Sequence, residues 1–197
     1  MILIDRFSEL VSKYPEQICL KSESYSVTYN ELSFSVGGRI KSLVGVGVLE
    51  GSRVAIIINN SIDNIEIILS CWSLGAIPIL INSKSNSSEI DLFLKSSVPD
   101  IIITNWAEEK KIINNDIVIF PIEELSQAFG GCAPINLVDS HKPDDTKIIL
   151  FTTGSTGIPK AVQLTETNLI SSASAWNEQL KLKKDDFFLS CIPIYHI

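Results

Sequence analysis

The chain predicts an α/β fold in which a mostly parallel sheet is flanked by helices, and three observations carry that prediction. Residues 53–58, 76–81 and 101–104 are apolar runs of strand length, the mark of strands covered on both faces. Between them, residues 61–74 and the stretch from Ser87 through Leu94 have helical spacing. The connections are short, and strand, helix, strand, helix, strand in that order builds parallel neighbours with crossover helices.

The elements follow in order. Ile4, Phe7, Leu10 and Val11 are spaced for a helix over 3–14, which must end before Pro15. A hairpin with arms 18–21 and 25–28 turns at Ser22-Glu23-Ser24. Thr28 is placed to cap a helix whose third position is Glu31, a capping box, and that helix runs through Val36, Ile40 and Leu43 to break at Gly45-Val46-Gly47. The turn Glu50-Gly51-Ser52 leads into the first of the three strands. The helix over 61–74 carries Ile62, Ile65, Ile68, Leu69 and Trp72 on its apolar side, and Gly75 separates it from the second strand. Pro99-Asp100 introduces the third. Farther on, 117–120 predicts a strand, 122–129 a short helix and 130–142 a connector between lobes. Residues 161–165 predict a short strand, Thr165 caps a helix bearing Asn168, Ser172 and Trp176, and 187–192 is expected as another buried strand. Trp72, Trp106 and Trp176 are expected in core or interface positions.

Composition narrows the function. The 197 residues are 45% hydrophobic and 20% charged, ordinary for a soluble globular protein. Sixteen basic against 23 acidic side chains give a formal charge of -7. With an isoelectric point near 4.8, no general attraction to nucleic acid or anionic lipid is expected, so any anion must be held locally. Cys19, Cys71, Cys132 and Cys191 lie far apart without a CxxC pair, which argues against zinc and a disulfide framework and for reduced, mostly buried thiols. The most apolar region, 65–81, is interrupted by Glu66, Gly75 and Pro78 and is too short to span a bilayer. Without a basic leader and long apolar run at Met1, a cytoplasmic protein is expected.

One stretch reads as chemistry: Phe151-Thr152-Thr153-Gly154-Ser155-Thr156-Gly157-Ile158-Pro159-Lys160. It follows the apolar run 148–151, so it should leave the end of a buried strand. Two glycines three apart let the backbone turn tightly and bring N–H groups to an anion, Ser155 and Thr156 add hydroxyl donors, and Lys160 adds positive charge. These are the parts a polyphosphate needs. The pattern is neither GxxxxGK[ST], since Ile158 and Pro159 separate Gly157 from Lys160, nor the GxGxxG of a dinucleotide fold.

What fits at every position is Tyr/Phe-Thr-Ser/Thr-Gly-Ser/Thr-Thr-Gly-x-Pro-Lys, and the sequence resembles the adenylate-forming superfamily that carries it: acyl-CoA synthetases, luciferases and peptide-synthetase adenylation domains. Other landmarks agree: Thr28-Tyr29-Asn30-Glu31-Leu32 with Val27 standing for a leucine, Arg53-Val54-Ala55, Asn60-Ser61, Gly75-Ala76, Asn82 and Asp145. Many relatives have Gly-Val-x-x-Thr-His-x-Asn after the lysine, whereas here Ala161 and Glu166 replace the glycine and histidine. Pro193-Ile194-Tyr195-His196-Ile197, with Asn59-Asn60-Ser61 and Cys71-Trp72, looks most like the o-succinylbenzoate:CoA ligase group of menaquinone or phylloquinone synthesis. Other aryl or medium-chain acyl-CoA synthetases, an amino-acid adenylation domain and a non-catalytic binding module remain open.

The resemblance implies an acid–thiol ligase acting through an acyl adenylate, with ATP, Mg2+ and coenzyme A, a small carboxylic acid as partner, no nucleic acid, no membrane span and a possible homo-oligomer. It implies that Thr152, Thr153, Gly154, Ser155, Thr156, Gly157 and Lys160 bind the nucleotide phosphates. Lys160 and His196 are then the candidate catalytic residues, His196 lining the acyl pocket and thiol route. His141 has no comparable setting and is read as surface. Full members are much longer, so the chain is expected to be the front part of such an enzyme, with the Mg2+ ligands, remaining lobes and C-terminal domain beyond it. Residues 1–143 would be a first α/β lobe with its connector, and 144–197 the phosphate-loop segment and the start of the next lobe.

Overall fold

The computed structural model describes residues 3–112, 117–125, 144–153, 159–183 and 186–196. The first unit is local. Helix α1 (Leu3–Lys13) buries Ile4 and Phe7, the antiparallel arms β1 (Ile18–Lys21) and β2 (Ser26–Thr28) follow, and α2 (Tyr29–Gly45) starts at the predicted capping box. Thr28 Oγ1 accepts from Glu31 N–H at 3.2 Å, and Glu31 Oε2 accepts from Thr28 N–H at 2.8 Å. These bonds hold the Glu31 carboxyl below its ordinary range. Ile4, Phe7, Leu32 and Val36 pack together beneath the hairpin.

The main sheet is built from β3 (Arg53–Ile57), β4 (Ile77–Leu80), β5 (Ile101–Thr104), β6 (Val118–Pro121), β7 (Thr146–Thr153) and β8 (Pro159–Thr165), in the order β6-β5-β3-β4-β7-β8. The pairings among the first five strands are parallel, and β8 alone runs antiparallel, against β7. Helices α3 (Ile62–Leu74) and α4 (Ser87–Ser97) are the crossovers, and the one-turn α5 (Trp106–Glu109) follows β5. Val54, Ile56, Ile101, Ile103, Leu80, Ile148 and Leu150 face one core together with Ile67, Ile68 and Cys71 of α3. Ala55, Ile57, Ile79, Ile102 and Ile149 face the other, against Ile90, Phe93 and Leu94 of α4. This alternation is why the strands read as unbroken apolar runs, since each residue meets a covered face whichever way it points. Gly75 ends α3 with φ +73°, a conformation that favours glycine, and puts β4 beside β3 within two residues. Trp72 Nε1 donates to the carbonyl of Lys147 at 2.7 Å, tying α3 to the base of β7.

A buried charge cluster ties the helices to the far edge. Arg39, 2% exposed on α2, donates to Glu66 at 3.2 Å and Asp63 at 2.6 Å on α3. It also donates to the carbonyl of Leu125 at 2.7 Å. Burial pushes the Glu66 carboxyl up, and Arg39 opposes that shift.

Four expectations change in whole or in part. Residues 187–192 form no strand, and Phe187, Phe188, Leu189 and Ile192 are 66–81% exposed. An apolar run becomes a buried strand only where a neighbour pairs it and both faces are covered, and no described strand pairs with this one. Trp176, expected in the core or at an interface, is 61% exposed on α6 (Glu166–Leu180), of which Glu166 is the buried residue, so it is not a core residue of this chain. Cys71 is buried, so its thiol is pushed up and stays neutral, but Cys19 is half-buried and Cys191 exposed. Of the helix expected over 122–129, a 3-10 turn covers Ile122–Glu124, and 126–129 lie outside the described residues, as do the connector, Cys132 and His141.

Candidate functional site

Because β3 to β7 run parallel, their carboxyl ends share one edge of the sheet. There Ile79 pairs with Ile149 while β4 ends at Leu80, so Phe151, Thr152 and Thr153 extend past the end of β4 by about 10 Å. Strand β8 returns alongside, with Thr153 opposite Pro159 and Thr152 opposite Lys160. Gly154, Ser155, Thr156 and Gly157 lie outside the described residues, between these two paired strand ends. The far end of the motif therefore enters a strand, not a helix.

Register decides which way the side chains point. Ile148 and Leu150 face the α3 core and Ile149 faces the α4 core. Thr152 continues the first set, and its cross-strand partner Lys160 shares its face. Both are exposed. Phe151 and its partner Ala161 turn to the opposite face and pack with Phe93 and Leu94 of α4, the Phe93 and Phe151 rings 4.5 Å apart. The methyl of Ala161 is thus taken up by an apolar cluster.

His196 comes to the same edge by another route. Its backbone N–H donates to the carbonyl of Pro193 at 3.0 Å, closing a tight turn. Ile194 N–H donates to Asn60 Oδ1 at 3.2 Å, just beyond the end of β3. Ile194 and Tyr195 pack on the α3 core, and the Tyr195 and His196 rings lie 5.1 Å apart. Thr152, Lys160 and the turn bearing His196 therefore share one edge and one face, their anchor strands β7 and β3 standing about 10 Å apart with β4 between.

A profile of the family described as AMP-binding enzyme matches residues 7–197. The chain belongs to that family. It is 26% identical over 183 residues to a 2-succinylbenzoate–CoA ligase of Bacillus cereus and 28% identical over 183 residues to one of Bacillus subtilis, covering 93% of this chain in each case. It spans 37% of the length of these curated relatives. Among solved structures, it is similar to the o-succinylbenzoate coenzyme A synthetase MenE of Bacillus subtilis in complex with AMP, at TM-score 0.88 and 26% identity over 100% of this chain and 50% of that one. The same enzyme in complex with ATP and magnesium ion superposes with TM-score 0.87 at 25% identity, again over 100% of this chain and 52% of that one. The α/β fold with its mostly parallel sheet is thus that of the N-terminal part of MenE.

The family's frequent histidine has a different occupant here. Glu166, the first residue of α6, is 2% exposed and accepts from the backbone N–H of Leu3. Its charge also acts on Lys147, whose ammonium is pulled down by burial and raised again by Glu166 and Asp145. This substitution ties the base of the β7–β8 hairpin to α1 and lies away from the loop.

Two contributors were not assigned from sequence. Phe93 supports the hairpin, and nothing in a helical apolar stripe distinguishes it from other core residues. Asn60 was noted as part of an Asn-Ser pair, but its partner lies 134 residues away. Among the described residues, no group of three or more His, Cys, Asp or Glu side chains is arranged to hold a metal ion. No described helix is long and apolar enough to cross a membrane.

Proposed function

We propose that this chain supplies the phosphate-binding hairpin and part of the acyl pocket of an ATP-dependent, AMP-forming carboxylate–CoA ligase, with o-succinylbenzoate as its acid. The observation that carries the reading is the shared edge and face of Thr152, Lys160 and the turn ending in His196. The curated relatives named 2-succinylbenzoate–CoA ligase and the MenE structures holding ATP, magnesium ion and AMP support it.

In the first half-reaction a carboxylate oxygen bonds to the α-phosphorus of ATP, the bond to the β-phosphate oxygen breaks, and pyrophosphate leaves. The substrate carboxylate is already ionised at neutral pH, so the protein's task is to position and to neutralise. Lys160, exposed at the mouth of the loop, meets the charge on the phosphates, and the donors of 152–157 orient them. Magnesium would neutralise phosphate charge. In the second half-reaction the thiol sulfur of CoA bonds to the acyl carbon, the bond to AMP breaks, and the thiol proton passes to solvent. His196, beside Tyr195, forms one wall for the acid and is exposed toward the incoming thiol. The product would enter naphthoquinone synthesis.

The test is ATP–pyrophosphate exchange by the longest form of the protein over a panel of carboxylic acids. o-Succinylbenzoate should give the highest rate. A higher rate with a medium-chain or other aryl acid would replace the acid, and exchange with none would remove the ligase reading. Residues 1–197 alone should not form thioester over multiple turnovers.

A further inference from the structure

The bond from Ile194 N–H to Asn60 Oδ1 joins two segments that are each fixed by other contacts. On the Asn60 side, Ser61 N–H donates to Asn64 Oδ1 at 2.9 Å, and Asn64 is 4% exposed at the start of α3. Ser83 Oγ donates to Asn59 Oδ1 at 3.0 Å, which fastens the same loop to the segment after β4. On the other side, the His196-to-Pro193 bond closes the turn, and Ile194 and Tyr195 rest on the core. Apolar contact is non-directional and leaves the turn free to roll on that surface. A hydrogen bond to the N–H of its second residue stops the roll, because the donor must point at one oxygen.

The geometry points to Asn60 as the residue that positions His196, acting through the backbone of Ile194; the consequence for acid binding rests on the reading of His196 as an acyl-pocket wall. Asn60 is exposed, so burial does not dictate an amide there. Its carbonyl oxygen carries the contact and its NH2 does not. Aspartate can therefore replace it as acceptor, whereas alanine cannot.

The experiment compares wild type, Asn60→Ala and Asn60→Asp. In the 15N-labelled 197-residue chain, Asn60→Ala should speed Ile194 amide exchange by about fivefold, the factor for one net hydrogen bond. It should also shift the His196 ring resonances, and Asn60→Asp should restore both. In the form of the protein that shows pyrophosphate exchange, Asn60→Ala should raise the KM for o-succinylbenzoate by about fivefold with the KM for ATP unchanged, and Asn60→Asp should return it toward wild type. Unchanged Ile194 exchange in Asn60→Ala, or an Asn60→Asp protein that behaves like the alanine variant, would overturn the assignment. If wild type supports exchange with no acid, the ligase reading falls, while the amide-exchange arm still decides the role of Asn60.

Discussion

Phe93 of α4 and Phe151 of β7 meet with ring centroids 4.5 Å apart at an interplanar angle of 49°, so a helix supports from the side the strand that leads toward residues 154–157. That strand has passed the end of β4 and has β8 as its hydrogen-bonded neighbour there. Phe93→Leu keeps most of the volume and should cost less than about 1.5 kcal/mol. Its effect should concentrate at the loop, seen as faster amide exchange at Phe151 and Ala161 with little change at Ile102. Uniformly faster exchange would mean that the ring serves the core in general.

Lys160 is exposed and opposite Thr152, so its removal should separate chemistry from folding. A charge-assisted contact to phosphate contributes ~1.5 to 3 kcal/mol, and Lys160→Ala should slow adenylation at least about tenfold. The urea midpoint should stay within error of wild type. Unchanged pyrophosphate exchange would take the lysine out of the site.

Glu66 gives a pH dependence whose direction is fixed by burial. Its folded pKa lies above the ordinary 4.5, so the native state keeps this proton to higher pH than the unfolded chain does. The group's contribution is fully present below 4.5 and is lost as pH rises through the folded value. Wild type should therefore gain stability relative to Glu66→Gln as pH falls from neutral toward 4.5, measured by urea unfolding across that range. The opposite slope would mean that Arg39 outweighs desolvation.

The exposed run at Phe187, Phe188, Leu189 and Ile192 should make the 197-residue chain bind an apolar dye. Phe188→Ser with Leu189→Ser should lower dye fluorescence and change stability by no more than about 0.5 kcal/mol, as for surface positions. A large loss of stability would show that these side chains are packed in solution.

Features that depend on neighbours along the chain were legible from residue order. The capping box of Thr28 and Glu31, the glycine stop at Gly75 and the two-faced burial of β3 and β5 follow from short-range bonding and side-chain alternation. The loop motif was legible for a similar reason, since its glycines, hydroxyls and lysine fall within ten residues. Other features were settled by contacts between residues distant in the chain. The run 187–192 has strand character, yet strand formation needs a partner, and no local pattern says whether one is present. Thr152 and Lys160 face one way because the β7–β8 register pairs them, and a shift of one residue would turn either to the other side. Asn60 acquires its role from Ile194, 134 residues away, because a hydrogen bond requires the approach of two groups in space and leaves no periodic mark on the sequence between them.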